Sequence, residues 1–82
     1  MVIIYSTSWC PLCVSAKRLL DSKEIKYEEI NIEEVNINRE ELVKIAGAAT
    51  VPQIIINETP IGGFDNLLEL DQNGKLNKML KI

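Results

Sequence analysis

The chain has no histidine and only two cysteines, and those two shortages narrow its chemistry at once. A structural zinc site needs about four ligands, mostly Cys and His. Two thiols and no imidazole would leave such a site to recruit carboxylates. Aromatic residues are also few, with one Trp, one Phe and two Tyr. No run of about 18 apolar residues occurs, so no transmembrane helix is expected. No excess of basic residues occurs either. The net charge is -3, and without a Lys/Arg cluster on one face nucleic acid is not an expected partner. The opening residues Met1-Val2-Ile3-Ile4-Tyr5 lack the basic n-region and the long h-region of a secretory signal. The expectation is a cytoplasmic, monomeric protein of one small domain spanning residues 1–82. In a reducing compartment a disulfide that cycles is a better reading than a permanent one.

What the chain does have is concentrated in Ser8-Trp9-Cys10-Pro11-Leu12-Cys13. Val2–Tyr5 is apolar throughout and rich in β-formers, as in a strand covered on both faces. Ser6-Thr7-Ser8 interrupts it. Pro11 then suits a first helical position, where its missing N–H costs nothing. Leu12, Ala16, Leu19 and Leu20 follow at helical spacing, with Lys17, Arg18, Asp21 and Lys23 on the outward face. Ile25–Ile32 is the second strand expected, followed by a polar connection to Asn38 in which Glu33 and Glu34 form a solvated surface. Arg39–Ala46 reads as a second helix with Leu42, Ile45 and Ala46 inward and Gly47 as its stop. Gln53–Ile56 and Thr59–Ile61 read as an antiparallel hairpin around Asn57-Glu58, with Pro60 on an edge. After Gly62-Gly63, Asp65-Asn66 are positioned to cap a helix through Leu67, Leu68 and Leu70. Lys75–Ile82 forms a last amphipathic piece. The order β-α-β-α-β-β-α predicts an α/β fold, a four-stranded mixed sheet flanked by helices.

Three chemistries compete for the two cysteines: a metal site, a structural disulfide and thiol–disulfide exchange. A disulfide closing so short a loop would restrain the unfolded chain little. Exchange has a mechanism. A cysteine at a helix N-terminus faces unpaired backbone N–H groups and the positive end of the helix dipole, and both favour negative charge on sulfur. Cys10, on the exposed N-terminal side, is therefore the expected attacking thiolate. Cys13, one turn further in, is the expected resolving thiol, with Pro11 stiffening the loop between them. Thr50-Val51-Pro52 is a second informative stretch. A cis peptide there would turn the Val51 backbone outward to pair with an extended substrate, whereas a trans one would simply start a strand. Gly62-Gly63 permits close approach of a ligand to a helix start, or is an ordinary turn.

Cys10-Pro11-Leu12-Cys13, Thr50-Val51-Pro52 and Gly62-Gly63 followed by Asp65, in that order and spacing, resemble glutaredoxins over nearly the whole chain. The resemblance implies a thioredoxin-like fold, glutathione as reductant with no tightly bound cofactor or metal, and a cis-proline at Pro52. It further implies that Cys10 carries the glutathione mixed disulfide and that Leu12, Thr50 and Val51 line the tripeptide. Gly63, Phe64, Asp65 and Asn66 would hold its γ-glutamyl end, and Arg39 its glycine carboxylate. Disulfide-bearing or glutathionylated proteins would be the partners. The chain departs from the family pattern at Thr7, where many members carry a lysine, and at Leu12, where many carry a tyrosine. Trp9 is more like thioredoxins. An electron donor fed by thioredoxin reductase, for example to ribonucleotide reductase, is thus the alternative. A second is a module in which two subunits and two glutathiones hold a [2Fe-2S] cluster through Cys10, which Pro11 disfavours.

Overall fold

Val2–Ser6 forms β1, and its alternation explains why the run is apolar at every position. Val2 and Ile4 enter one hydrophobic cluster, while Ile3 and Tyr5 turn to a second cluster on the opposite face, as a period of two requires. The computed structural model describes residues 1–81; Ile82, at the end of the amphipathic piece read from the sequence, lies outside them. The remaining elements are α1 (Pro11–Ser22), β2 (Glu28–Asn31), α2 (Arg39–Ala46), β3 (Gln53–Ile56), β4 (Thr59–Gly62), α3 (Phe64–Gln72) and α4 (Lys75–Leu80). The strands form one sheet in the order β2-β1-β3-β4. β1 and β2 are parallel, and the other two pairings are antiparallel.

The larger cluster joins Val2, Ile4, Ile54 and Ile56 of the sheet to Ala16, Leu20, Leu67 and Leu76 of the helices α1, α3 and α4. The smaller joins Tyr5 and Ile55 to Leu42 and Ala46 of α2 and to Ile32. Each of these larger aliphatic side chains contributes about 1.5–3 kcal/mol by leaving water.

Local chemistry fixes the ends of the helices. Cys10 is the N-cap of α1, with Pro11 at its first position. Asn38 and Glu41 form a reciprocal capping box at α2, and Gly47 ends it in the left-handed region at φ 86°. Asn57 and Glu58 make the hairpin turn with φ of 48° and 70°, a twist that matches the strands it joins. No helix among the described residues is long and apolar enough to cross a membrane.

Several sequence expectations are corrected. β2 is shorter than Ile25–Ile32, because Ile25 donates its N–H to Leu20 O at 3.0 Å and is held at the end of α1. The Ile32 N–H still bonds to Ser6 O at 2.9 Å, just past the strand. Leu12 is 51% exposed rather than inward, since Cys13 takes the buried position on that turn. Ile45 is 37% exposed, and α2 faces the sheet through Leu42 and Ala46. Helix α3 starts at Phe64 with Gly63 as its N-cap and without a side-chain cap bond. Asp65 and Asn66 therefore lie inside its first turn instead of capping it.

Candidate active site

β1 and β3 run antiparallel, with Tyr5 opposite Gln53. The loop that leaves β1 and the turn that enters β3 therefore meet at one end of the sheet. This pairing brings Cys10 to Thr50-Val51-Pro52. The Val51–Pro52 peptide is cis. Cys10 Sγ lies 3.6 Å from the Val51 carbonyl oxygen and accepts the Cys13 N–H at 3.2 Å. Both cysteines are free thiols.

The sequence placed Cys10 on an exposed edge, but the structure leaves only 6% of it accessible. The Val51–Pro52 turn covers one side of the sulfur, and the first turn of α1 covers the other. Exposed side chains instead ring the buried sulfur. Trp9 is 63% exposed. Its indole N–H reaches Glu33 Oε2 at 3.4 Å. Pro11 and Leu12 are exposed beside it.

Cys13 is fully buried. Burial first, and its hydrogen bond with Cys10 second, push its thiol up to about 12, while the Thr7 backbone amide and the Lys17 ammonium pull the other way. A thiol held so far above neutrality keeps its proton in the resting dithiol. Lys17 is not simply outward. Its ammonium lies 2.9 Å from Glu29 Oε2.

The second wall is the Gly62–Asn66 segment. A Cβ added to Gly63 would stand 3.5 Å from Pro52 O, so this backbone packs directly beside the cis-proline turn. Gly62 has φ +116°, and a Cβ there would meet Asn66 Nδ2 at 2.5 Å. Asn66 donates from Nδ2 to Ile61 O at 3.0 Å, so its amide is turned back to close the segment. Phe64 packs against the larger core cluster. Asp65 is exposed in the first turn of α3, a favourable place for negative charge. Arg39 donates from Nη1 to Ala49 O at 2.7 Å, which holds its guanidinium beside the Ala49-Thr50 segment. The structure thus gathers Cys10, Pro11, Leu12, Cys13, Thr50, Val51, Pro52 and Gly63 around one cleft. Asp65 and Arg39 stand at its margins, while Phe64 and Asn66 serve the wall by packing and bracing.

Sequence reading passed over four residues here. Gln53 is 2% exposed, donates from Nε2 to Thr50 Oγ1 at 3.1 Å and props the turn from below. Thr7 is buried beneath Cys13, Ser6 is fully buried, and Ser6 bonds to Glu29 at 2.7 Å. Ser6 and Thr7 read as strand breakers, Thr7 also as the place of a missing lysine, and Glu29 as one position of the second strand. Their pairing across strands leaves no local pattern. Among the described residues, no three Cys, Asp or Glu side chains converge as a metal would need.

The glutaredoxin family model matches residues 2–61. A glutaredoxin of Pseudomonas aeruginosa is 47% identical over 79 residues, covering 96% of this chain and 94% of that protein. Glutaredoxin 3 of Escherichia coli K12 is 45% identical over 80 residues, covering 98% and 96%. Among solved structures, a buckwheat glutaredoxin–glutathione complex superposes with TM-score 0.88 at 29% identity, over 98% of this chain and 76% of that one. The solution structure of a Brucella melitensis glutaredoxin gives TM-score 0.83 at 40% identity, over 98% and 87%. The sheet and helices are those of the thioredoxin-like fold, and Cys10–Cys13 fits the active-site dithiol. By fold, by dithiol and by sequence, this chain belongs to the glutaredoxin family of thiol–disulfide oxidoreductases.

Proposed function

We propose that this chain is a glutathione-dependent dithiol oxidoreductase, with Cys10 as the attacking sulfur and Cys13 as the resolving one. The Cys10 thiolate attacks a disulfide, one S–S bond breaks as another forms, and the substrate leaves one sulfur as a thiol. Cys13 then displaces the remaining substrate sulfur and closes the Cys10–Cys13 disulfide. Where the bound partner is glutathione, a second glutathione performs that displacement instead. Two glutathiones supply the two electrons that return the protein to the dithiol.

The observation that carries this reading is the position of Cys10 Sγ, 3.6 Å from Val51 O, beside the cis-proline turn against which Gly63 and the start of α3 pack. The Val51 backbone stands where an extended tripeptide would pair with it. The free N–H groups at the α3 terminus suit the α-carboxylate of a γ-glutamyl group, and Arg39 lies on the side where a glycine carboxylate would arrive. A buckwheat relative solved with glutathione supports the same ligand. With Thr7 where many family members carry a lysine, this reading assigns that contact to Arg39.

The deciding experiment is recycling. A glutathionylated peptide is offered with NADPH and either glutathione plus glutathione reductase or thioredoxin reductase. Steady turnover in the first mixture is expected. Turnover confined to the second would overturn glutathione as the reductant.

A further inference from the structure

The fully buried Cys13 must lose a proton before it can attack, and little around it can hold the charge that results. Its surroundings provide two threads to one carboxylate. Lys17 follows Cys13 by four residues on α1, so the two side chains share a helix face. The Lys17 ammonium is 2.9 Å from Glu29 Oε2 on β2, and that same oxygen accepts the Ser6 hydroxyl at 2.7 Å. Ser6 precedes Thr7, which is itself buried and whose backbone pulls the Cys13 thiol down against the effect of burial.

The charged groups around this arrangement can be named element by element. Lys17 is faced by Glu29 from β2, by Tyr27 from the segment before β2 and by Cys13 from its own helix. The Tyr27 hydroxyl is held above its ordinary value by burial and by the charge of Asp21, and Arg18 is exposed. Cys13 in turn feels the charges of Cys10 and Lys17. In the mixed disulfide Cys10 carries no charge, so Lys17 is then the charged neighbour that acts on Cys13.

We propose that Lys17, fixed by Glu29 and Ser6, is a positioning residue of the resolving step, where its ammonium stabilises the Cys13 thiolate as that thiolate forms. In that step the Cys13 S–H bond breaks and the Cys13–Cys10 disulfide forms. The bond between Cys10 and the substrate sulfur breaks, and its electron pair leaves on the substrate sulfur, which takes up the proton. The dithiol is oxidised by two electrons and the substrate disulfide is reduced by the same two. The attack by Cys10 involves no charge on Cys13 and should not depend on Lys17. The inference rests on Cys13 as the resolving thiol, and it is independent of which reductant recycles the protein.

The test isolates resolution from attack. Pre-reduced protein is mixed with a peptide containing an intramolecular disulfide, and decay of the mixed disulfide is followed by acid quench and mass measurement across pH. For Lys17→Met, decay should slow severalfold and its alkaline limb should move to higher pH, because the thiolate has lost its cation. Lys17→Arg should restore most of the rate. Glu29→Gln, which preserves the shape of the pair but removes the anion that offsets the ammonium, should move the alkaline limb the other way, to lower pH, and serves if Lys17→Met fails to fold. Attack is measured on a glutathionylated peptide in a Cys13→Ser background, and there Lys17→Met should leave the rate unchanged. Parallel slowing of both steps, or an unmoved pH limb, would overturn the proposal. If Cys13→Ser still resolves mixed disulfides, the assignment of Cys13 fails first, and that outcome is distinguishable from a silent Lys17.

Discussion

Cys10 Sγ and the Val51 carbonyl oxygen stand 3.6 Å apart, although 41 positions separate them in the chain. One strand pairing accounts for that proximity. β1 delivers its C-terminal end and β3 its N-terminal end to the same end of the sheet, so a helix cap and a proline turn become the two sides of one cleft.

The division of labour between the sulfurs can be read from paired variants. Cys10→Ser should abolish all exchange, because the sulfur at the helix cap is gone. Cys13→Ser should retain cleavage of glutathionylated peptides, in which an outside thiol completes the cycle, but lose dithiol reduction of protein disulfides. Loss of both activities in Cys13→Ser would reverse the assigned roles. Parallel assays on the two substrate types decide it.

The exposed and buried leucines of α1 should differ sharply in what they contribute. Leu20 is fully buried in the larger cluster, and Leu12 stands 51% exposed at the cleft. Leu20→Ala should cost about 2–5 kcal/mol of stability, through lost transfer energy and a cavity. Leu12→Ala should change stability by less than about 0.5 kcal/mol. Urea titrations of the two variants measure both values.

A methyl group at Gly62 should damage the second wall. The residue has φ +116°, and the added carbon would displace the Asn66 amide that bonds to Ile61 O. Gly62→Ala should cost about 1–3 kcal/mol and weaken glutathione binding by moving the start of α3. Thermal unfolding reports the first effect, and the KM for glutathione reports the second.

The Lys17–Glu29 pair should leave a mark on stability in acid. The hydrogen bond from Lys17, and then that from Ser6, hold the Glu29 carboxyl below its ordinary 4.5. The unfolded chain therefore takes up this proton first as pH falls. The contribution is complete above the unfolded value and is lost as pH drops through the folded one. Because the pair is partly exposed, its value is about 0.5 kcal/mol. Glu29→Gln should be destabilised by about that amount near neutrality, and the gap should close in acid, as urea midpoints compared at the two pH values would show.

The β-α-β-α-β-β-α order was legible because each element carries its own signal. Pro11 marks a helix start, Gly47 a helix end and Asn57 a turn. The redox pair was legible for the same reason, since Cys10 and Cys13 sit within a single turn of chain. What escaped was whatever depends on a neighbour from another strand. The stripe beginning at Leu12 reads as core until Cys13 is seen to occupy the buried position. Asp65 reads as a cap until Gly63, without a side chain, proves to fit against Pro52 O. Cys10 reads as exposed until the Val51 turn is laid over it. Ser6, Glu29 and Lys17 carry no mark of their association, because residues 6, 17 and 29 meet only after β1, α1 and β2 have assembled.

The far end of the sheet offers something of practical use. There the Met1 ammonium donates to Asn57 Oδ1 at 2.6 Å, and the Asn57 amide donates to Met79 O at 3.0 Å. The hairpin turn is thus tied to the first residue and to α4 at the pole opposite the dithiol. With the four residues of β3 between the two poles, at about 3.4 Å per residue, the exposed side chain of Glu58 is remote from the sulfur chemistry. A fluorophore or surface tether attached at Glu58 would report on the protein, or immobilise it, with the cleft left open to its substrates.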